Sequence, residues 1–249
     1  MEYIDNSSKP KYKRILIKLS GEALKGIDGN SIIDEKIIDK IGRAVSRCHE
    51  LGVEVAIIVG AGNIWRGASG TGMDRTRADH MGMLATTINA LALQDAFIRL
   101  GMETRVMTAI SMQEIAEPYI RNRAVHHLDH GRVIIFGCGI GNPFFTTDTA
   151  AVMRAAEIGA DIVILAKNID AVYDSDPRRN RGAKKLDVVD YKYILNNELT
   201  VIDSTAASFS KDNNIPLLIC ALRDPDNIVR AVMGEKIGTL VTHTNNMNT

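Results

Sequence analysis

The sequence predicts an α/β sandwich built on a parallel sheet with right-handed crossovers, and three observations carry that expectation. Short β-branched apolar runs recur along the chain, segments of helical periodicity separate them, and polar or glycine-rich loops follow them. The runs are RILIKL (14–19), VEVAIIV (53–59), TRVMTA (104–109), RVIIFG (132–137), DIVILA (161–166) and PLLICA (216–221). Each is nearly continuous in hydrophobicity, as strands buried on both faces require. The first two flank DEKIIDKIGRAVSRCHELG, where Ile37, Ile38, Ile41, Ala44, Val45, Cys48 and Leu51 follow helical spacing and Gly52 supplies the stop. The opening unit is therefore βαβ. Further helices are expected over about 78–100, 111–130, 147–158 and 225–233. The polar stretch YDSDPRRNRGAKKLD is the only candidate boundary, and the βα rhythm is less regular after it. Residues 1–12 are expected to form a flexible tail and residues 13–249 a single domain.

Composition excludes several classes of function. Of 249 residues, 45% are hydrophobic and 24% charged, enough apolar material for a sizeable core. Thirty basic and thirty acidic residues cancel, so no bulk field draws the chain to nucleic acid or anionic membrane, and anion binding must be local. Cys48, Cys138 and Cys220 are widely spaced in apolar surroundings without a CxxC or Cys/His cluster, which predicts reduced core thiols. MEYIDNSSKPKYKR has no apolar leader segment, and no uninterrupted apolar stretch reaches the roughly 18 residues of a membrane span. A cytoplasmic protein with no membrane partner is expected. His126 and His127 have no metal-binding partners at suitable spacing and are expected to straddle a helix face. The run Arg178, Arg179, Arg181, Lys184 and Lys185 lacks aromatic platforms and is expected to be a solvated loop.

The loops KLSGEAL, GAGNIWRG, GCGIGNPFFTTD and KNIDAVYDSDP follow the first, second, fourth and fifth runs. A parallel sheet brings all four to its carboxyl edge, where open α/β sheets bind ligands. In GIGNPFFTTDTAA, glycines permit close backbone approach, and a Thr/Asp helix start offers N–H groups, so phosphate is the expected ligand. The grip is not a P-loop, because the chain contains no Gly-Lys pair. Nor is it a Rossmann fingerprint: Trp65 follows Gly60 and Gly62, and Asn142 follows Gly137 and Gly139, where the third glycine belongs.

KLSGEAL, GAGNIWRG, RADHMGMLAT, GNPFFTTDTAA, DAVYDSDP and AVMGEKIGTLV, in that order over nearly the whole chain, resemble the successive signatures of the bacterial-type UMP kinases of the amino acid kinase superfamily. The resemblance implies a three-layer αβα sandwich with a mainly parallel central sheet. It implies transfer of the γ-phosphoryl group of Mg-ATP to UMP, giving UDP and ADP, in pyrimidine nucleotide biosynthesis. It further implies a homohexamer with GTP and UTP as effectors. Carried over residue by residue, it assigns Lys18, Leu19, Ser20, Gly21, Gly62, Arg66, Lys167, Asn168, Tyr173 and Asp176 to ATP. Ala61, Asp79, Ile140, Gly141, Asn142, Pro143, Phe144, Phe145, Thr146 and Thr147 fall to UMP, and Lys18, Arg66 and Asp148 to catalysis. No direct metal ligand is implied, since Mg²⁺ arrives with ATP. Asp203 also matches a family aspartate. The alternatives are another small-acceptor kinase of the superfamily and a non-catalytic nucleotide-binding protein.

The residue types suit that chemistry. A phosphate acceptor is already anionic, so catalysis is chiefly positioning and charge neutralisation. Lys18 supplies a cation at a strand end, or snorkels there; Arg66 offers a bidentate fork. Asp148 orients a cation or caps a helix, and Asp79 holds a ribose or caps the helix running toward Leu100. Tyr173 stacks on the base or simply packs. Two departures stand out. GIDGNSIID is shorter than the glycine-rich hairpin that relatives associate with GTP activation, so that regulation is expected to be altered. Ile140 replaces the threonine of the family's GTGNP loop. If that hydroxyl donates to the UMP phosphate, Ile140→Thr tightens UMP binding by roughly 2- to 10-fold without changing ATP affinity. Calorimetric titration decides it: equal or weaker UMP affinity would mean that packing places Ile140.

Overall fold

A computed structural model describes residues 9–26, 31–66, 72–175 and 180–243 of the chain. β1 (Arg14–Leu19) leads through a 3₁₀ turn at Gly21–Leu24 to α1 (Glu35–Glu50) and β2 (Glu54–Val59). Next come α2 (Arg75–Arg99), β3 (Thr104–Thr108), β4 (Glu117–Pro118), α3 (Arg121–Asp129) and β5 (Val133–Gly137). α4 (Thr147–Ile158) feeds β6 (Ile162–Lys167), and β7 (Val172–Tyr173) pairs with β8 (Lys185–Leu186) as a separate hairpin. β9 (Val188–Asp190), α5 (Tyr191–Asn196), α6 (Ser204–Asp212), β10 (Leu217–Ala221), α7 (Asp226–Val232) and β11 (Thr239–Thr242) follow.

All six expected strands are present, within a residue at each end. They form the centre of a nine-stranded sheet, β4-β3-β5-β2-β1-β6-β10-β11-β9. Every pairing in it is parallel except β10 with β11. Along β1 the side chains alternate: Ile15, Ile17 and Leu19 join a core with α1, α2 and α7, while Leu16 joins a second core with α3, α4, α5 and α6. Helices thus cover both faces, giving the three-layer αβα sandwich. The three cysteines are buried and free, and burial pushes the Cys48 and Cys220 thiols up to about 12.

Two helix expectations need correction. The span 111–130 is not one helix but a turn, β4 and the shorter α3. Pro118 explains this, because it has no amide hydrogen and clashes inside a helix, whereas an edge strand tolerates it. α2 begins at Arg75 rather than at about residue 78, and the Asp74 carboxylate caps it by accepting from Arg77 N at 3.1 Å. α2 is also long and apolar enough to cross a membrane, but half of that window is buried within the protein. Lys11 and Tyr12, within the expected tail, make contacts: Lys11 N donates to Val232 O at 2.9 Å, and Tyr12 packs on the α1-side core.

The topology singles out one place. From β1 the chain moves to β2 on one side and later crosses to β6 on the other. The crevice beyond the carboxyl end of β1 is therefore the switch point at which open α/β sheets bind ligands.

Candidate active site

Strand alternation builds the centre of the site. Lys18 in β1 shares the face of Leu16, and Lys167 at the end of β6 shares the face of Val163 and Leu165. Both lysines therefore lie on the α4 side of the sheet, and the first turn of α4 carries Asp148. Lys18 Nζ stands 2.9 Å from Asp148 Oδ1, and Lys167 Nζ donates to Asp148 Oδ2 at 2.6 Å. Lys167 also donates to Val201 O. Lys18 and Asp148 are each only 9% exposed. Burial alone pushes the Asp148 carboxyl up, but the two ammonium groups outweigh it and hold the group below the usual carboxylate range. Lys167 is pushed down, first by burial and then by Lys18, with Asp148 opposing. Within ion-pair reach one buried anion thus serves two cations, and Asp203 adds a weaker attraction on Lys167.

Asp148 is not the cap of α4. Thr146 is, with Oγ1 accepting from Asp148 N at 3.1 Å and Thr149 N at 3.2 Å. The helix starts at Thr147 as expected, but the expectation that its Thr/Asp start offers these N–H groups to phosphate is corrected, because its own cap occupies the amides of Asp148 and Thr149. Asp203 caps α6 through Ala206 N at 2.8 Å, and it also accepts from Thr149 Oγ1 at 3.0 Å and from Thr146 Oγ1. It ties the starts of α4 and α6 together.

The loops after β1 and β2 touch backbone to backbone. A Cβ on Gly21 would fall 2.5 Å from Gly60 O and 2.7 Å from Gly62 N, so only glycine fits there. Asn89, wholly buried in α2, donates to Gly60 O and to Asn63 Oδ1, both at 2.8 Å; Asn63 Nδ2 returns a bond to Asn89 Oδ1 at 2.9 Å. Sequence reasoning missed this amide pair, whose one signal was an asparagine amid the apolar INALAL run. Arg66, at the end of the same loop, is ion-paired with Glu22.

Between these loops and the one after β5 lies a cleft of about 270 Å³. Ala61, Gly62, Asp79, Ile140, Asn142, Phe145, Thr146 and Thr147 line it, as do Arg75, Thr86 and Cys138, which sequence reading had not assigned to a ligand. Gly141, Pro143 and Phe144 do not. Gly141 packs on Ala109, and Phe144 is 64% exposed. Asp79 Oδ2 accepts from Phe144 N and from Arg75 Nε, each at 2.8 Å, so it braces the loop while Asp74 does the capping. Ile140 also packs against the α4-side core.

A second cleft, of about 710 Å³, opens on the far side of Thr146 and Asp148 toward Ile194, Leu199, Ile202 and Asp203. Thr146 lines both recesses, and Asp148 lines the second. A separate groove of about 610 Å³, between α1 and the start of α7, shares no residue with either. Leu19 is wholly buried and offers a ligand only backbone. Ser20 precedes the 3₁₀ turn without capping it by its side chain. Asn168 is exposed, and Tyr173 donates its hydroxyl to Asp170 Oδ2 at 3.0 Å. Lys167, assigned by the resemblance to ATP, stands on Asp148. Asp176, Arg178 and Arg179 lie outside the described residues, as do residues 27–30 of the shortened segment. Arg181, Lys184 and Lys185 are exposed, and His126 and His127 straddle α3, one exposed and one buried against Glu117.

Residues 13–221 match the family model described as the amino acid kinase family, and the chain belongs to that family. The likeness to UMP kinases carried by the motifs is borne out by solved structures. The UMP kinase from Bacillus anthracis is 42% identical with a TM-score of 0.90, the match covering 94% of this chain and 97% of that one. The UMP kinase from Ureaplasma parvum is 38% identical with a TM-score of 0.87, covering 92% and 98%. The uridylate kinase from Archaeoglobus fulgidus is 26% identical with a TM-score of 0.73, covering 92% and 99%.

The buried triad sets an acid-side stability prediction. A carboxylate held below its ordinary value of 3.8 stabilises the fold fully above about pH 4, and that contribution is lost as pH falls through its folded value. Asp148→Asn leaves two ammonium groups facing each other, and is expected to cost about 3 kcal/mol at pH 7 and to flatten the acid limb below about pH 4. Urea unfolding between pH 3 and 7 checks this; an acid limb as steep as wild type would refute it.

Proposed function

We propose that the chain is a UMP kinase, transferring the γ-phosphoryl group of Mg-ATP to the phosphate of UMP and releasing UDP and ADP. The observation that carries this reading is Asp148, fixed between Lys18 and Lys167 at the switch point of the sheet, one residue along α4 from Thr147 in the wall of the smaller cleft. The cleft of about 270 Å³ takes UMP, and the donor's phosphates meet Lys18. The acceptor oxygen is already anionic, so Asp148 works as the counter-charge that aims the lysines rather than as a base. Lys18 neutralises charge on the transferring phosphoryl, and Arg66 exchanges Glu22 for phosphate oxygens. The backbone of Gly60–Gly62 lies along the phosphate, Asp79 faces the ribose, and Phe145 walls the pocket.

Bound with ATP, Mg²⁺ would neutralise charge on the phosphates. The carboxylates at the site, Asp148 and Asp203, face lysines and hydroxyls, a donor set that fits a metal carried by nucleotide. The motif resemblance alone extends the reading to a cytoplasmic homohexamer in pyrimidine nucleotide biosynthesis, with GTP and UTP as effectors.

Incubation with Mg-ATP and a panel of UMP, CMP, dUMP, AMP, aspartate and glutamate tests the reading. Rapid ADP release is expected with UMP alone. Comparable rates with CMP would remove the uridine selectivity, and release only with an amino acid would overturn the function.

Lys18→Ala removes the cation from the transferring group and is expected to lower kcat by about 10²-fold or more. Steady-state kinetics at saturating UMP and ATP check it, and an unaltered kcat would sink the assignment of Lys18.

A further inference from the structure

Arg154, in the second turn of α4, is 6% exposed and lines neither cleft. Taking a guanidinium out of water is costly, so a buried one must be held by several partners. Nη1 pairs with Glu157 Oε2 at 2.6 Å, and the guanidinium carbon sits 3.8 Å from the centroid of the Tyr119 ring. Tyr119 is fixed in turn: its hydroxyl donates to the same Glu157 oxygen at 2.5 Å, and its ring meets Phe136 edge-on at 5.5 Å. With one edge and one face engaged, the remaining arm has a set direction. Nη2 reaches Gly139 O at 3.3 Å.

Gly139 lies in the most contorted part of the acceptor loop. φ is +62° at Cys138, +56° at Gly139 and +83° at Gly141, and Gly141 N donates to Cys138 O at 2.9 Å. Thr86 Oγ1 holds Cys138 N at 2.8 Å, and Asp79 holds Phe144 N at 2.8 Å. Those two anchors grip amides, whereas Arg154 grips a carbonyl. In a trans, planar peptide the C=O and the following N–H point opposite ways. Drawing Gly139 O inward to Arg154 therefore turns the Ile140 N–H outward, on the side where Ile140 lines the cleft.

We infer that Arg154 is a positioning residue for the acceptor: it locks the Gly139–Ile140 peptide so that the Ile140 amide is presented to the bound nucleotide. The inference rests on the UMP kinase reading and deepens it. It also gives the loop a hydrogen-bond donor at position 140 that does not depend on a side-chain hydroxyl.

Arg154→Lys keeps a cation beside Glu157 but lacks the planar fork that reaches both partners. It is expected to raise KM for UMP by about 5- to 10-fold while KM for ATP and kcat stay within about 2-fold. In the ligand-free protein, hydrogen exchange at residues 139–142 should quicken while the amides of α4 beyond Asp148 keep their protection. Arg154→Met should show the same split more strongly; if it fails to fold, the lysine variant carries the test. Unchanged KM for UMP with unchanged loop exchange would overturn the inference. So would parallel losses in both KM values, kcat and thermal stability, which would mark a purely structural role. If the wild-type protein releases no ADP with UMP, the kinase reading fails on its own. The exchange measurement, made without ligand, still decides for or against the role of Arg154.

Discussion

A lysine buried in a central strand needs a counter-charge, and the contact of Lys18 with Asp148 is the constraint around which this site is arranged. Asp148 lies in the first turn of α4, where the helix macrodipole favours a negative charge. It faces a second lysine from β6, so within ion-pair reach the cluster holds two cations for one anion, and Asp203 adds a weaker attraction on Lys167. The cluster lies where the backbones of the β1 and β2 loops meet so closely that Gly21 accepts no side chain. Burial keeps water from screening the lysines, which makes the centre suited to phosphate.

The sheet was legible because burial on both faces leaves a simple mark, a continuous β-branched run, and all six runs became strands. The helix over 111–130 was misread because its apolar residues mimic helical spacing while Pro118 forbids the helix. The last third was less readable for another reason. β9 and β11 are short, and β11 pairs antiparallel with a strand from an otherwise parallel layer, an arrangement that no local periodicity announces.

At the site, loop positions were legible and side-chain partners were not. Lys18 and Asp148 stand out in the motifs, but their pairing depends on which face of β1 lies beneath α4. That could have been counted: Lys18 and Lys167 each fall an even number of residues from apolar neighbours on one face of adjacent parallel strands. Threonine and aspartate side by side at the start of α4 were ambiguous because either can cap, and geometry divides the labour. Thr146 caps while Asp148 holds the lysines. Asp79 likewise leaves capping to Asp74 and braces Phe144 N.

The polar groups that sequence reading passed over share a physical role. Asn89 is buried in α2 and Arg154 in α4, and each gives one of its hydrogen bonds to a carbonyl of a glycine loop, Gly60 O in one case and Gly139 O in the other. Left to themselves, glycine loops sample many conformations, including ones that turn carbonyl oxygens toward an anion. Tying those oxygens to rigid helices removes these alternatives before any ligand arrives. The cost of burying an amide and a guanidinium is then borne by the folded helices rather than charged to the binding step. A phosphate site built from backbone therefore needs buried polar side chains behind it, on elements whose own pattern reads only as core.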